Sequence, residues 1–145
     1  MSTRRYTAAD RSAAIDQLGD RRAVDQAAHR LHVAEGGPAA GVALWVEPLP
    51  GRDSEALLGT VKVAVEDRRL FYQLVAACAQ DALDRGFERA RFTVRDRRLL
   101  LRIQRDFIIE PQAIGRDPET GEAVEWEVSV DLQDALEQLQ GAIGA

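Results

Sequence analysis

The sequence is poor in several residue types that carry particular chemistries. Its 145 residues include one cysteine, one methionine and one lysine, Lys62. A lone cysteine forms neither an internal disulfide nor a zinc site by itself, so we expect a protein of a reducing compartment, the cytoplasm. A Schiff-base mechanism would have to rest on Lys62 alone, and nothing else in the sequence supports one.

Long apolar runs are missing too. No stretch approaches the ~20 apolar residues that a membrane helix needs, and the two arginines near the start precede no apolar segment of a secretory signal. We therefore expect no association with a membrane. The chain has 24 acidic against 19 basic residues and a formal net charge of −5. This balance disfavours non-specific binding to nucleic acid, which depends on neutralising phosphates.

The remaining composition is that of an ordinary globular domain. Hydrophobic residues make up 46% and charged residues 30%, which argues against intrinsic disorder. The length suits one domain over residues 1–145, with no internal repeat or low-complexity tract. The common motifs of catalysis (a Ser-His-Asp order, HExxH, CxxC and the P-loop) are absent from the sequence.

The apolar spacing predicts a mixed α/β domain with the order β-α-α-β-β-α-β-α-β-β and a C-terminal helix. Strands are predicted at 1–6, 42–46, 56–65, 90–94, 108–114 and 123–130. Helices are predicted after Thr7, over Arg21 to Val33, from about Leu70 to Gly86, after Asp96 and after Asp131. The strand, helix and strand that centre on Leu70 to Gly86 indicate a right-handed crossover between parallel strands.

Several single residues admit a structural and a functional interpretation. His29 and His32 are three apart in the second predicted helix and could share a metal, but no third ligand stands nearby. We therefore expect surface histidines and no metal site. Cys78 lies in an apolar stripe and is interpreted as a core residue. Trp126 also points to the core, whereas Trp45 is left open as a core residue or an exposed contact.

Four stretches of the chain together resemble the GCN5-related N-acetyltransferases (GNAT). They are RRYTAADRSAAIDQL, LLGTVKVAVE, QLVAACAQDALDRGFERARFTVRD and the terminal hairpin. In the family these are the first strand and helix, the fourth strand, the following helix with the fifth strand, and the sixth and seventh strands. The resemblance covers nearly the whole chain. It implies an acyl-CoA N-acyltransferase-like fold, acetyl-CoA or coenzyme A as co-substrate, and acyl transfer to a small-molecule or protein amine.

Two signatures of the family are altered in this sequence. The family binds the coenzyme pyrophosphate through a Gln/Arg-x-x-Gly-x-Gly/Ala turn, in which main-chain N–H groups and glycines let the phosphates approach. The six matching positions here read Glu66-Asp67-Arg68-Arg69-Leu70-Phe71. An acid begins the motif, and an arginine and a phenylalanine replace the glycines. The tyrosine that protonates the leaving thiolate in many members falls on Arg102.

The resemblance still implies candidate site residues. Main-chain groups at Val63 and Val65 would hold the coenzyme, Arg68 and Arg69 would reach its phosphates, and Glu66 would deprotonate the amine directly or through water. The alternative is that the acid and the arginines form a solvated helix cap. That would suit an inactive domain that has lost coenzyme A and serves as an interaction or regulatory module. An unrelated α+β domain is the third hypothesis.

The resembled fold places the fifth and last strands side by side and antiparallel. The polar face of the fifth strand carries Arg89, Arg91 and Arg95, and that of the last strand carries Glu125 and Glu127. We therefore expect cross-strand ion pairs worth ~0.2–1 kcal/mol each, with a basic nucleic-acid stripe as the alternative. Exposed edge strands leave a homodimer open.

Overall fold

The fold is a seven-stranded mixed sheet with helices on both faces. The computed structural model describes residues 2–46, 55–63 and 67–144. The strands are β1 (Thr3–Arg5), β2 (Leu31–Ala34), β3 (Gly41–Val46), β4 (Glu55–Val63), β5 (Arg89–Val94), β6 (Gln112–Arg116) and β7 (Ala123–Asp131). The helices are α1 (Arg11–Leu18), α2 (Arg21–Gln26), α3 (Arg68–Asp84), α4 (Arg97–Asp106) and α5 (Leu132–Gly144). Short 3-10 helices at Ala8–Asp10 and Ala28–Arg30 precede α1 and β2.

The strands lie in the order β1-β2-β3-β4-β5-β7-β6. β4 and β5 run parallel, and the other neighbouring strands are antiparallel. Because α3 connects the parallel pair, a crossover between parallel strands is confirmed, as are the C-terminal hairpin and the final helix. Of the described helices, none combines the length and apolar character that crossing a membrane requires.

The two faces of the sheet have separate cores. α1 and α2 cover one face at β2 and β3, where Leu31, Val33, Val42 and Leu44 are buried. The other face carries α3 and α5, and the alternate residues of β3, such as Trp45, are buried against them. α4 closes the far end of this second face over β5 and β7. Successive side chains of β3 therefore point alternately into the two cores.

Gly41 brings α3 close to the start of β3. A Cβ atom at this position would lie 3.0 Å from Leu74 Cδ1, 3.2 Å from Leu70 Cδ2 and 3.4 Å from Val63 Cγ1. Leu74 and Leu70 are buried. Glycine at this position therefore permits a close approach between helix and strand that a side chain would prevent.

The prediction of a second helix from Arg21 to Val33 is wrong beyond Gln26. Residues 31–34 instead form β2, which lies between β1 and β3 and has all four residues buried. A strand that is covered on both faces is a short apolar run, and its periodicity does not distinguish it from a buried helical turn. His29 and His32 therefore lie on different elements, the first exposed and the second buried.

Three other expectations are settled by the same packing. Cys78 is buried, and burial raises the pKa of its thiol, as expected of a core residue. Trp45 is 2% exposed, so the option of an exposed contact is wrong for it. The first strand of the hairpin begins at Gln112 rather than Ile108, which is 90% exposed.

Three helices begin with the same sequence, Asp-Arg-Arg. The aspartates are Asp20, Asp67 and Asp96, at the starts of α2, α3 and α4. Each carboxylate accepts main-chain N–H bonds of 2.8–3.4 Å from the first turn of its helix. The repeated motif is therefore a helix cap wherever it occurs in the described chain.

The polar faces of β5 and β7 carry the expected ion pairs. Arg95 Nε lies 2.8 Å from Glu125 Oε2, and Arg91 Nε lies 4.0 Å from Glu127 Oε2. Arg89 donates to Ser129 Oγ at 3.1 Å. These contacts pair the arginines with the neighbouring strand, which confirms the structural interpretation of the charges.

Candidate functional site

The candidate site begins where β4 and β5 separate. The two strands pair over Glu55–Leu57 and Arg89–Arg91. β4 continues to Val63 and β5 to Val94 without further pairing between their described residues. The edge of β4 that faces β5 therefore has main-chain N–H and C=O groups that a ligand could use. An extended ligand could insert between the strands at this point.

A cavity of about 920 Å³ lies beside this separation, between the sheet and the three helices of the second face. Its walls include Leu58 and Val61 of β4, and Ala90 and Phe92 of β5. α3, α4 and α5 complete it, mainly with apolar side chains: Phe71, Val75, Ala79, Leu99, Ile103, Ala135 and Leu139. A volume of this order falls within the ~300–1,000 Å³ usual for small-molecule sites.

The candidate residues at the start of α3 are only partly brought together. Val63 is half-buried at the end of β4, and Arg68 and Arg69 are exposed in the first turn of α3. Val65 and Glu66 lie outside the described residues. Asp67 Oδ1 accepts the Leu70 N–H at 3.0 Å, so a carboxylate already occupies the end of the helix that would attract a phosphate.

Tyr72 connects α3 to α4 next to this turn. Its hydroxyl donates to Asp106 Oδ2 at 2.5 Å, and Arg68 Nη1 lies 3.6 Å from the same oxygen. The Tyr72 ring also packs edge-on against Phe107, with centroids 5.1 Å apart. These side chains adjoin a smaller cavity of about 90 Å³, which Arg68, Phe71 and Tyr72 help to line.

The hydroxyl of Tyr72 is poorly suited to donate its proton elsewhere. Burial first, and then the hydrogen bond to the Asp106 carboxylate, raise the pKa of Tyr72 to about 12. A phenol with a raised pKa is a weaker acid than free tyrosine. We therefore interpret the pair as a clamp between helices. Sequence reasoning missed it because 34 positions separate the two residues and no local pattern marks the pair.

Comparison with solved structures identifies the architecture. A Desulfovibrio desulfuricans protein assigned to the GNAT family of acetyltransferases matches with a TM-score of 0.67 at 15% identity, over 90% of this chain and 98% of its own. The ribosomal-protein-alanine N-acetyltransferase of Brucella melitensis matches with a TM-score of 0.65 at 16% identity, over 90% and 99%. Salmonella typhimurium YncA, solved with acetyl-CoA, matches with a TM-score of 0.63 at 16% identity, over 91% and 94%.

The chain has the GNAT fold. This confirms the fold class expected from the sequence, including the placement of α3 between two parallel strands that separate. No family model matches the sequence, and no curated protein matches it. At 15–16% identity this likeness shows the fold alone.

One cluster of polar side chains lies inside this domain, away from the start of α3. Asp81 of α3 is 4% exposed. Its Oδ2 accepts the Trp45 Nε1–H at 2.7 Å and lies 3.3 Å from His32 Nε2, while its Oδ1 accepts from Arg5 Nη2 at 2.8 Å. Arg85 Nε is 3.5 Å from Oδ1, and the Arg85 guanidinium lies over the Trp45 ring at 5.6 Å. We call this group the Asp81 cluster.

The charges in the Asp81 cluster are fixed by its hydrogen bonds. Burial alone would raise the pKa of Asp81, but bonds from Arg5, Trp45 and His32 outweigh it and hold that pKa at about 2. Burial lowers the pKa of His32, although the Asp81 carboxylate opposes this. His32 is therefore neutral at pH 7, and its Nε2 carries the proton that faces the carboxylate.

The lowered pKa of His32 makes folding depend on pH. Below its ordinary value of 6.5 the unfolded chain binds a proton that the folded chain does not, so stability falls as the pH drops below 6.5. In urea melts between pH 7 and about 5, we expect His32→Gln to remove the part of the fall in unfolding free energy that His32 causes. The control is His29→Gln at an exposed histidine, which should keep the wild-type profile. Identical profiles for the two variants would contradict the prediction.

The loss of stability that His32 causes below pH 6.5 is distinct from a second loss of stability at lower pH. Asp81 and Asp10 both have a pKa of about 2 in the folded chain against an ordinary 3.8. For Asp10 the main cause is the Arg4 side chain, which donates two hydrogen bonds of 2.7 and 2.8 Å. Their stabilisation is complete above pH 3.8 and is lost as the pH falls towards 2.

Within the residues that the structure describes, no group of three or more His, Cys, Asp or Glu side chains is arranged to hold a metal ion. His32 is buried, so the expectation of a surface histidine is wrong for it, and its Nε2 faces the Asp81 carboxylate. The two histidines thus have separate structural surroundings.

Proposed function

We propose that this chain binds an acyl-CoA and transfers its acyl group to an amine. The observation that carries the proposal is the separation of β4 from β5 next to an apolar cavity, in a chain with the GNAT fold. Similar structures support it, since Salmonella typhimurium YncA was solved with acetyl-CoA and a Bacillus subtilis acetyltransferase with CoA. The amine belongs to a small molecule or a protein.

The reaction needs one base and one acid. The amine nitrogen attacks the thioester carbonyl carbon, a C–N bond forms, and the C–S bond breaks to release the coenzyme thiolate. Glu66 is our candidate to take the proton from the amine, directly or through water, and the thiolate takes up a proton from water as it leaves. Main-chain groups at Val63 and Val65 would hold the coenzyme arm, with Arg68 and Arg69 at its phosphates.

A second candidate function is supported by the cap of α3. Asp67 places a negative charge at the helix start, and the same Asp-Arg-Arg motif caps α2 and α4. The arginines of α3 therefore have a purely structural explanation. In that case the chain would be a GNAT-fold interaction or regulatory module that does not bind coenzyme A.

A thermal-shift titration with acetyl-CoA and with CoA separates the two functions. Binding at about 100 times Kd stabilises by ~2.7 kcal/mol, which should raise Tm by about 5–10 °C in a domain of this size. We expect the double variant Arg68→Ala/Arg69→Ala to bind about ten- to hundredfold more weakly, because charge-assisted hydrogen bonds to phosphate are lost.

The chain supplies a matched control for these arginines. Arg97→Ala/Arg98→Ala changes the equivalent exposed pair behind Asp96 in α4, and it should leave coenzyme binding unchanged. If both double variants lost the same amount of coenzyme affinity, the loss would come from the general change in net charge. No shift of the wild type at millimolar coenzyme would overturn the proposed function and favour the module.

A further inference from the structure

The large apolar side chains that are exposed in the described chain all lie on α4, β6, β7 or the segment that joins α4 to β6. They are Leu101, Ile108, Ile114 and Val124, with exposed fractions from 46% to 90%. A single exposed hydrophobic side chain needs no explanation. The charged residues around Leu101 and Val124 therefore decide whether these two belong to a binding surface.

The exposed side of α4 is basic around an apolar centre. Arg97, Leu101 and Arg105 follow each other at intervals of four residues and therefore lie on one side of the helix. Arg98 is next to them, and all four side chains are exposed. Leu101 is about 6 Å along the helix axis from the arginine on either side. We call these four residues the α4 face.

The arginines of the α4 face are weakly engaged within the chain. Among the residues that the structure describes, neither Arg97 nor Arg98 forms an ion pair. Arg105 Nε approaches Asp106 Oδ1 at 3.9 Å, and 68% of the Arg105 side chain is exposed. The α4 face is therefore a positive surface on a chain whose formal net charge is −5.

The turn between β6 and β7 is acidic and is ordered by its own hydrogen bonds. The Asp117 N–H donates to the Glu122 carbonyl and the Gly121 N–H to the Asp117 carbonyl, both at 2.8 Å. The Asp117 carboxylate accepts the Glu119 N–H at 2.8 Å. The side chains of Glu119 and Glu122 are exposed, and Val124 follows them on β7. We call Glu119, Glu122 and Val124 the acidic tip.

The α4 face and the acidic tip are complementary to each other. The first carries arginines around a leucine, and the second carries glutamates beside a valine, so their contact would pair opposite charges around an apolar centre. Both surfaces lie at the end of the sheet where β5 stops, since Val94 pairs with Trp126 near the start of β7 and α4 begins soon after Val94. Two complementary surfaces at one end of a chain allow a closed pair around a two-fold axis.

We propose that the chain forms a homodimer in which the acidic tip of each copy binds the α4 face of the other. The contact then occurs twice, because a two-fold interface repeats every residue pair. A second copy fits better than nucleic acid, because both complementary surfaces are present on this chain and its net charge of −5 repels a polyanion. The inference does not depend on the proposed function.

Analytical ultracentrifugation measures the dimer directly, with protein from about 1 μM to about 0.5 mM. We expect the dimer Kd to rise at least about tenfold between about 0.05 M and about 0.5 M salt, because salt screens the exposed charge pairs. Leu101→Ala should weaken the dimer about ten- to hundredfold, because the contact that buries Leu101 occurs twice.

Charge reversal identifies the two surfaces. Arg97→Glu/Arg98→Glu on the α4 face should weaken the homodimer at least about a hundredfold, because like charges then meet in both contacts. Glu119→Arg/Glu122→Arg at the acidic tip should do the same. When the two variants are mixed, they should form a heterodimer, because each of its two contacts again pairs opposite charges. This recovery also shows that both variants are folded.

The start of α2 supplies a matched control for the α4 variant. Arg21→Glu/Arg22→Glu reverses the equivalent exposed pair behind Asp20, so it changes the net charge by the same amount outside both proposed surfaces. It should leave the dimer Kd within about threefold, since exposed charges at a distance are largely screened.

Four results would overturn the proposal. A wild-type chain that stays monomeric at about 0.5 mM in low salt would exclude the dimer. A dimer that both charge reversals leave intact would have its interface elsewhere, for example at the edge strand β6. Two variants that do not associate when mixed would show that the α4 face and the acidic tip do not meet. A control that weakens the dimer as much as the α4 variant would show an effect of net charge alone.

Discussion

Replacing Asp81 by alanine is expected to lower the free energy of unfolding by about 3–5 kcal/mol, the usual cost of removing one partner from a buried charged pair. The buried Trp45 and His32 lose the carboxylate that faces their ring nitrogens, and Arg5 loses its buried partner. Each buried donor left without an acceptor adds the cost of its own desolvation. In a domain with a total stability of about 5–15 kcal/mol this is a large fraction.

Urea and thermal melts at pH 7 measure the effect, with an expected fall in Tm of about 6–20 °C. Asp84→Ala is the control, because Asp84 lies on the same helix, is exposed and accepts one bond from Gln80. It should change stability by no more than about 0.5 kcal/mol. If Asp81→Ala cost as little as this control, the Asp81 cluster would not stabilise the fold.

Leu74→Ala is expected to have an effect of similar size, about 2–5 kcal/mol, because Leu74 is 0% exposed. Its Cδ1 lies where a Cβ on Gly41 would make a 3.0 Å contact. Gly41→Ala alone should cost about 1–3 kcal/mol through overpacking. In the double variant the new methyl group enters the space that the leucine vacates.

The double variant should therefore be more stable than the sum of the two single effects implies, by about 0.5–3 kcal/mol. Urea unfolding of the four proteins at one pH gives this coupling directly. Ala77→Gly on the same helix, at a position outside this contact, should be additive with Gly41→Ala. Strict additivity between Gly41→Ala and Leu74→Ala would contradict the contact between helix and strand.

Much of the fold follows from local sequence patterns. For α3, for the strand that contains Phe92 and for the last helix, the apolar periodicity and the residues at the ends predict the same element. β2 was missed because burial on both faces removes the polar alternation that marks a strand. The face of Trp45 was ambiguous for a related reason, since β3 contributes to two cores and both sets of its side chains are apolar.

The candidate site is harder to predict from the sequence than the fold is. Patterns placed Arg68 and Arg69 at a helix start, yet the same Asp-Arg-Arg motif at α2 and α4 shows that local sequence does not separate a cap from a phosphate site. The Asp81 cluster joins residues from four elements, so no spacing of residues along the sequence predicts it. The apolar cavity depends on where α5 lies against α3, which is set by tertiary packing.

The short register between β4 and β5 also has a mechanical consequence. The seven strands form two sections, β1 to β4 and β5 to β7, which share main-chain hydrogen bonds over residues 55–57 and 89–91 alone among the described pairs. The pairing between the sections is short, and α3 and α5 reinforce it through side-chain packing. A ligand that bonds to both free strand edges would brace the sections against each other, so occupancy of the site and rigidity of the domain would rise together.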